Sequence, residues 1–182
     1  QEAGGFGVVV NNAGYGIFGA LDDIPMEEWD GQITAMLNHT MALIRTQLSL
    51  MNSGAGGVLV NVSSLAVEFP LPYMSGYNIA KSGLSALSES LMMEMIGTGV
   101  RIIDFRPGDY RTRFNEVMKK DERTDGLSDR KEAAWRCLES NLQEAPVPAK
   151  AASDLWRAIN RGRSGIVRSG GFFQAQLAPT LI

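Results

Sequence analysis

Gly57-Val58-Leu59-Val60-Asn61-Val62-Ser63-Ser64 is followed by the loop Leu65 to Met74 and then by Ser75-Gly76-Tyr77-Asn78-Ile79-Ala80-Lys81. The β-branched apolar run Val58 to Val62 predicts a strand buried on both faces, which is the habit of parallel sheets. Its polar end delivers Ser63 and Ser64 to the strand's C-terminal mouth, where open α/β sheets gather their ligands. Ser75 is a candidate N-cap for a helix beginning near Gly76. Tyr77 and Lys81, four residues apart, then share one helical face. A phenol with a pKa of about 10 is a poor base at neutral pH, but an adjacent ammonium favours the phenolate and lowers that value. The pattern therefore predicts a tyrosine able to exchange a proton with a substrate oxygen that a strand-end serine holds by a hydrogen bond.

Upstream, Phe6 to Val10 is an unalternated apolar run and predicts a central parallel strand. Gly14-Tyr15-Gly16-Ile17-Phe18-Gly19 fits the dinucleotide pattern G-x-G-x-x-G. That fingerprint must open a helix whose N-terminus receives a pyrophosphate, whereas this one runs into Leu21-Asp22-Asp23-Ile24-Pro25, with Pro25 suited to a first helical position. It is rejected as a fingerprint on that ground. Pro25 to Asp30 predicts a short helix, and Ile33, Met36, Leu37, Thr40, Met41, Ile44, Leu48 and Met51 recur at helical spacing through a longer one. Ser53 to Gly57 is a turn cluster returning the chain to the serine-bearing strand.

Downstream, Leu84, Leu87, Leu91 and Met95 extend one apolar helical face until Gly97 and Gly99. Val100 to Phe105 predicts the next strand, Lys131 to Leu142 and the stretch from Pro148 predict helices, and Gly165 to Arg168 predicts a last short strand. Alternating strands and helices of this kind predict an α/β fold with a parallel sheet. A chain of 182 residues is of single-domain size, and a net charge of −3 offers no field to draw in nucleic acid. No apolar run reaches membrane-spanning length and no basic, signal-like segment opens the chain, so a cytoplasmic location is the expectation. Cys137 and His39 are the sole cysteine and histidine, which argues against an internal disulfide, a histidine triad and a metal centre.

Asn61-Val62-Ser63-Ser64 followed by Tyr77-Asn78-Ile79-Ala80-Lys81 resembles the active-site region of the short-chain dehydrogenase/reductase family. There the catalytic serine stands thirteen residues before the tyrosine, and 77 − 64 = 13 selects Ser64. Asn11-Asn12-Ala13-Gly14 is similar to the motif that ends the family's fourth strand and borders the cofactor's adenosine part, and Pro107-Gly108 with Tyr110 and Thr112 is similar to the segment that cradles the nicotinamide.

The resemblance implies a Rossmann-like doubly wound parallel sheet represented by its C-terminal half, family strands 4 to 7. Residues 1–182 would be one partial domain, with 109–147 as a substrate lid inside it. It implies an oxidoreductase that interconverts a secondary alcohol and a ketone with NAD or NADP. In it Ser64 would polarise the carbonyl, Tyr77 would carry the proton, Lys81 would tune the tyrosine and bind the nicotinamide ribose, and Asn38 would anchor a relay water from a helix kink. The implied cofactor contacts are Asn12, Ala13, Gly14, Tyr77, Lys81, Pro107, Gly108, Tyr110 and Thr112. A homodimer or homotetramer built through the two long helices is also implied. Val67 departs from the family, which has glycine there, and the glycine loop of the front half is not among these residues, so a truncated longer chain is expected. A non-catalytic scaffold and a sugar-nucleotide epimerase relative, which also uses Tyr-x-x-x-Lys, remain as alternatives. Apolar residues in the loop and lid (Phe69, Leu71, Met74, Phe114, Met118) point to a hydrophobic substrate, while Glu68 and Arg111 have no evident partner in the sequence.

Overall fold

A computed structural model describes residues 7–114, 118–120 and 129–171. Its main sheet has four parallel strands in the order β1 (Val8–Asn11), β3 (Gly57–Val62), β4 (Val100–Pro107) and β6 (Gly165–Ser169). Each parallel pair needs a crossover, and helices supply them. Strand β3 is covered on both faces, as its unbroken apolar run predicts. Leu59 points into a cluster with Ile44, Met51, Leu84, Leu91 and Ile102, built by helices α2 (His39–Asn52) and α3 (Ser75–Glu94). Val58, Val60 and Val62 point the other way, onto Ile103, Phe105 and Ala158 of α5 (Ala149–Asn160). A three-layer sandwich results.

Strand β1 is the sheet's edge among the described residues, and Val8 and Val10 stay 44% and 43% exposed on the α5 side. That is the position expected of a strand whose neighbour belongs to the front half of the sheet, which is not among these residues. Phe6 lies outside the described residues. Asn11 is tied inward: its side chain donates to Asn61 Oδ1 at 2.9 Å and exchanges hydrogen bonds with Gln47, and Asn61 in turn donates to Ser88 Oγ at 2.9 Å. This polar chain links α2, both strands and α3.

Gly14 to Gly19 opens no helix. It carries the two-residue strand β2 (Ile17–Phe18), which pairs with β5 (Lys119–Lys120), a pairing too short to be visible as a sequence pattern. Helix α1 (Met26–Ile33) begins after Pro25, which caps it rather than entering it. The short and long helices predicted here are continuous, joined by a π-helical turn over Thr34–Asn38. Helix α4 (Asp129–Glu144) lays Ala134, Trp135 and Leu138 against Phe18 and Met74, with the Trp135 and Phe18 rings edge to face at 5.0 Å. It occupies part of the stretch 109–147 expected to act as a lid; of that stretch, 115–117 and 121–128 lie outside the described residues, as do the residues beyond 171. Among the described residues no helix is long and apolar enough to cross a membrane.

Candidate active site

At the C-terminal end of β3 the two adjacent serines part company. Ser63 turns into the protein, where its hydroxyl donates to the Asp104 carboxylate. Ser64 lines the same cavity as the Tyr77 phenol, close enough that its hydroxyl works to lower the tyrosine's pKa. Its Oγ also accepts from Ala66 N at 3.1 Å, capping the 3₁₀ turn Leu65–Val67 and fixing the hydroxyl's position. Ser75 is not the cap of α3 that the sequence predicted. Met74 takes that position, its carbonyl accepting from Asn78 N at 2.9 Å, while Ser75 Oγ is buried without a partner and is already helical.

Before the helix the chain turns through Tyr73, whose φ of 61° is left-handed. For a residue with a side chain this conformation costs of order 1 kcal/mol and persists only when its surroundings hold it. Here Gly19 N donates to Tyr73 O at 2.9 Å and the Tyr73 ring lies 5.5 Å from that of Phe18. Asn78, which sequence reasoning left without a role, clamps the same loop: it donates to Leu71 O at 2.8 Å and accepts from Leu71 N at 3.2 Å.

Lys81 lies one turn beyond Tyr77 on α3, only 4% exposed, and donates to Val62 O at 2.7 Å. Desolvation lowers its pKa to about 8, the Asp104 carboxylate working in the opposite direction. Burial raises the Tyr77 pKa; the Ser64 hydroxyl counters this in part and the Asp109 carboxylate adds to it. The predicted lowering of the tyrosine by Lys81 is therefore not what this arrangement produces. The ammonium sits 5.8 Å from the centre of the phenol ring, held on the Val62 carbonyl.

Asn38 closes the π-turn, at the helix irregularity where the resemblance puts it. It is exposed, whereas Met36, 1% exposed, is the residue of the π-turn that packs inward. A Cβ placed on Gly14 would lie 3.1 Å from Met36 Sδ and 3.4 Å from Lys81 Nζ, so a glycine is what lets the thioether and the ammonium approach the backbone here.

A cavity of about 1020 Å³ opens over these groups. Of the residues expected to contact a cofactor, Asn12, Gly14, Tyr77, Lys81, Pro107, Gly108, Tyr110 and Thr112 line it, and Ala13 does not. The Tyr110 hydroxyl is committed to Ser169 Oγ at 2.6 Å, leaving its ring to the cavity. Phe69, Leu71, Met74, Phe114, Met118 and Leu138 form an apolar wall beside Ser64 and Tyr77. Glu68 is not a solvated loop charge: Arg106 and Arg168 both donate to it, at 2.7 and 2.8 Å. Those partners lie 38 and 100 residues away in sequence, where no local pattern could find them.

A parallel sheet between helical layers, with a hydroxyl, a phenol and an ammonium converging beyond its strand ends, defines a Rossmann-like α/β protein of the dehydrogenase type. The chain belongs to the short-chain dehydrogenase family, whose family model matches residues 1–123. It is 34% identical over 119 residues to dehydrogenase/reductase SDR family member 4 of Bos taurus, covering 65% of this chain and 43% of that protein. It is 30% identical over 127 residues to D-beta-hydroxybutyrate dehydrogenase of Rhizobium meliloti, covering 69% and 49%. A short-chain dehydrogenase from Streptomyces avermitilis superposes with a TM-score of 0.80 at 25% identity, over 99% of this chain and 67% of that one. A Burkholderia phymatum member of the family, solved in complex with NAD, gives 0.76 at 21% identity, over 91% of this chain and 61% of that one. The chain thus spans about half the length of the curated relatives it matches.

Proposed function

We propose that these residues form the catalytic portion of an oxidoreductase that interconverts a secondary alcohol and a ketone with NAD or NADP. The observation that carries this reading is that Ser64, Tyr77 and Lys81 converge on one largely apolar cavity, Lys81 buried at its back one helical turn from Tyr77. A nicotinamide cofactor would supply the hydride, with Asn12, Gly14, Lys81, Pro107, Gly108 and Thr112 available to hold it; the Gly14 backbone, bare of a Cβ beside Lys81, fits such a close approach. Ser64 would fix the substrate oxygen by a hydrogen bond. Tyr77, held as the neutral phenol by burial, would give that oxygen a proton in reduction. Asn38, at the end of the π-turn, would anchor the relay water from that irregularity in the helix.

The apolar wall from Phe69 to Leu138 favours a hydrophobic ketone or alcohol over a sugar. Exposed Met41, Leu43 and Leu50 on α2 and Ile79 and Met93 on α3 support pairing of two copies through these helices. The test is Tyr77→Phe in the full-length protein, which removes one hydroxyl and little surface. Ketone reduction should fall by a factor of about 10² to 10⁴ with cofactor affinity nearly unchanged. A variant that keeps most of the wild-type kcat would overturn the reading.

A further inference from the structure

Behind the catalytic face lies a fully buried carboxylate that no part of the mechanism above uses. Asp104, at the middle of β4, accepts from Ser63 Oγ, from Ser85 Oγ at 2.7 Å and from Arg106 Nε at 2.8 Å. Ser63 is the residue before Ser64 at the end of β3. Ser85 lies one turn beyond Lys81 and two beyond Tyr77, on the same face of α3. One carboxylate thus grips both the strand end that presents the serine and the helix face that presents the tyrosine and the lysine. Arg106 extends the grip. Its remaining nitrogens reach Glu68 at 2.7 Å, and Ser85 and Glu89 at 2.7 and 2.6 Å, which ties in the loop that carries Phe69 and Leu71.

We propose that Asp104 is a positioning residue for the reaction, setting the placement of Ser64 against Tyr77 and Lys81 by holding their two supporting elements on a single carboxylate. A buried ion pair is a poor way to gain stability, since an apolar pair of similar volume often does as well or better. What it does provide is one defined geometry, because Asp104 and Arg106 together hold Ser63, Ser85, Glu68 and Glu89 by directional hydrogen bonds. The carboxylate also acts on Lys81 through space and opposes the desolvation of its ammonium. The groups facing Lys81 are Tyr77 on α3, the uncharged Val62 carbonyl on β3, Gly14 after β1, Met36 in the π-turn, and Asp104 with Arg106 beyond it on β4; Asp109, after β4, acts on Tyr77. Asp104 is the carboxylate among these that holds the lysine protonated.

This inference rests on the reaction proposed above, and the test keeps the two separable. In the full-length protein, Asp104→Asn preserves shape and acceptor oxygen while removing the charge. The expected results are a kcat for ketone reduction lowered about tenfold or more with KM changed far less, and an alkaline limb of the pH profile moved down by about one unit. The Lys81 side-chain pKa, followed by NMR in the same variant, should fall likewise, and that readout needs no turnover. If Asp104→Asn does not fold, Ser85→Ala, which cuts one arm and leaves the ion pair, should reproduce the kcat loss in smaller measure. An unchanged pH profile and Lys81 titration beside a merely lowered Tm would overturn the proposal and leave Asp104 a structural residue. A wild-type protein without ketone reductase activity would overturn the reaction instead.

Discussion

Replacing Lys81 with methionine should make the protein more stable at neutral pH while abolishing the chemistry proposed for it. The ammonium is almost wholly buried, and its pKa drops from the ordinary 10.5 to about 8. At about 1.36 kcal/mol per pKa unit, keeping it protonated inside the fold at pH 7 costs about 3 kcal/mol. Methionine removes that cost but orphans the Val62 carbonyl, which the lysine contacts at 2.7 Å, at a penalty of about 1–3 kcal/mol. The net expectation at pH 7 is a gain of up to about 2 kcal/mol. The sign of the pH dependence is fixed by which state holds the proton more tightly. Between pH 8 and 10.5 the unfolded lysine is protonated and the folded one is not, so wild-type stability rises with pH across that window. The advantage of Lys81→Met should therefore shrink from pH 8 upward and reverse by about pH 10. Urea unfolding of the full-length wild type and variant at pH 7 and pH 10 measures it, since other titrating groups cancel in the difference. A stability difference that does not change with pH would refute the desolvated lysine. The expected gain at the expense of activity is the trade-off of a side chain retained for its chemistry.

Two further expectations follow from packing. Gly76→Ala in the first turn of α3 ought to stabilise a free helix by about 1 kcal/mol, but its Cβ would stand 2.4 Å from Gln32 Oε1 and 3.3 Å from Trp29 Cδ1. Gln32 is buried and anchored to Tyr15 O at 2.9 Å, so overpacking of about 1–3 kcal/mol should win. Thermal unfolding should show a Tm lower by a few degrees, and a raised Tm would contradict the close contact. In a homologous ketone series, each methylene buried against Phe69, Leu71 and Phe114 is worth about 0.8 kcal/mol, so kcat/KM should climb about fourfold per carbon until the cavity is full. A flat profile or a preference for polyols would exclude the apolar pocket.

The strands and their parallel arrangement were legible because a parallel strand buried on both faces writes itself as an uninterrupted apolar run, as in Val58 to Val62. Tyr77 and Lys81 were legible because helical spacing alone puts them on one face. Asn38 was legible only through the family resemblance, because a π-turn leaves no mark in apolar spacing. Glu68 shows no partner in the sequence because its arginines arrive from β4 and β6, and the role of Asp104 depends on contacts from β3 and α3 that no local pattern carries. Ser75 was the natural cap by residue type, yet the backbone entering from the left-handed Tyr73 put Met74 there instead. Local rules failed where long-range contacts or a distorted backbone decide orientation.

The electrostatics of Tyr77 and Lys81 bear on which way the proposed reaction runs. Burial alone drives both groups toward their neutral forms, the phenol upward and the ammonium downward. A neutral phenol is a proton donor, which is what a carbonyl oxygen requires as it becomes an alcohol. Oxidation needs the phenolate, and neither the enclosed ring nor the nearby Asp109 carboxylate favours that form. Ser64 is the counterweight, since its hydroxyl lowers the tyrosine's pKa and so stabilises charge developing on the phenol oxygen as the proton leaves. Lys81 can assist only while it remains protonated, and desolvation works against that while Asp104 works for it. On the reading proposed above, the neutral phenol is the form ready to give its proton in ketone reduction, and the Asp104 carboxylate opposes the loss of the Lys81 proton.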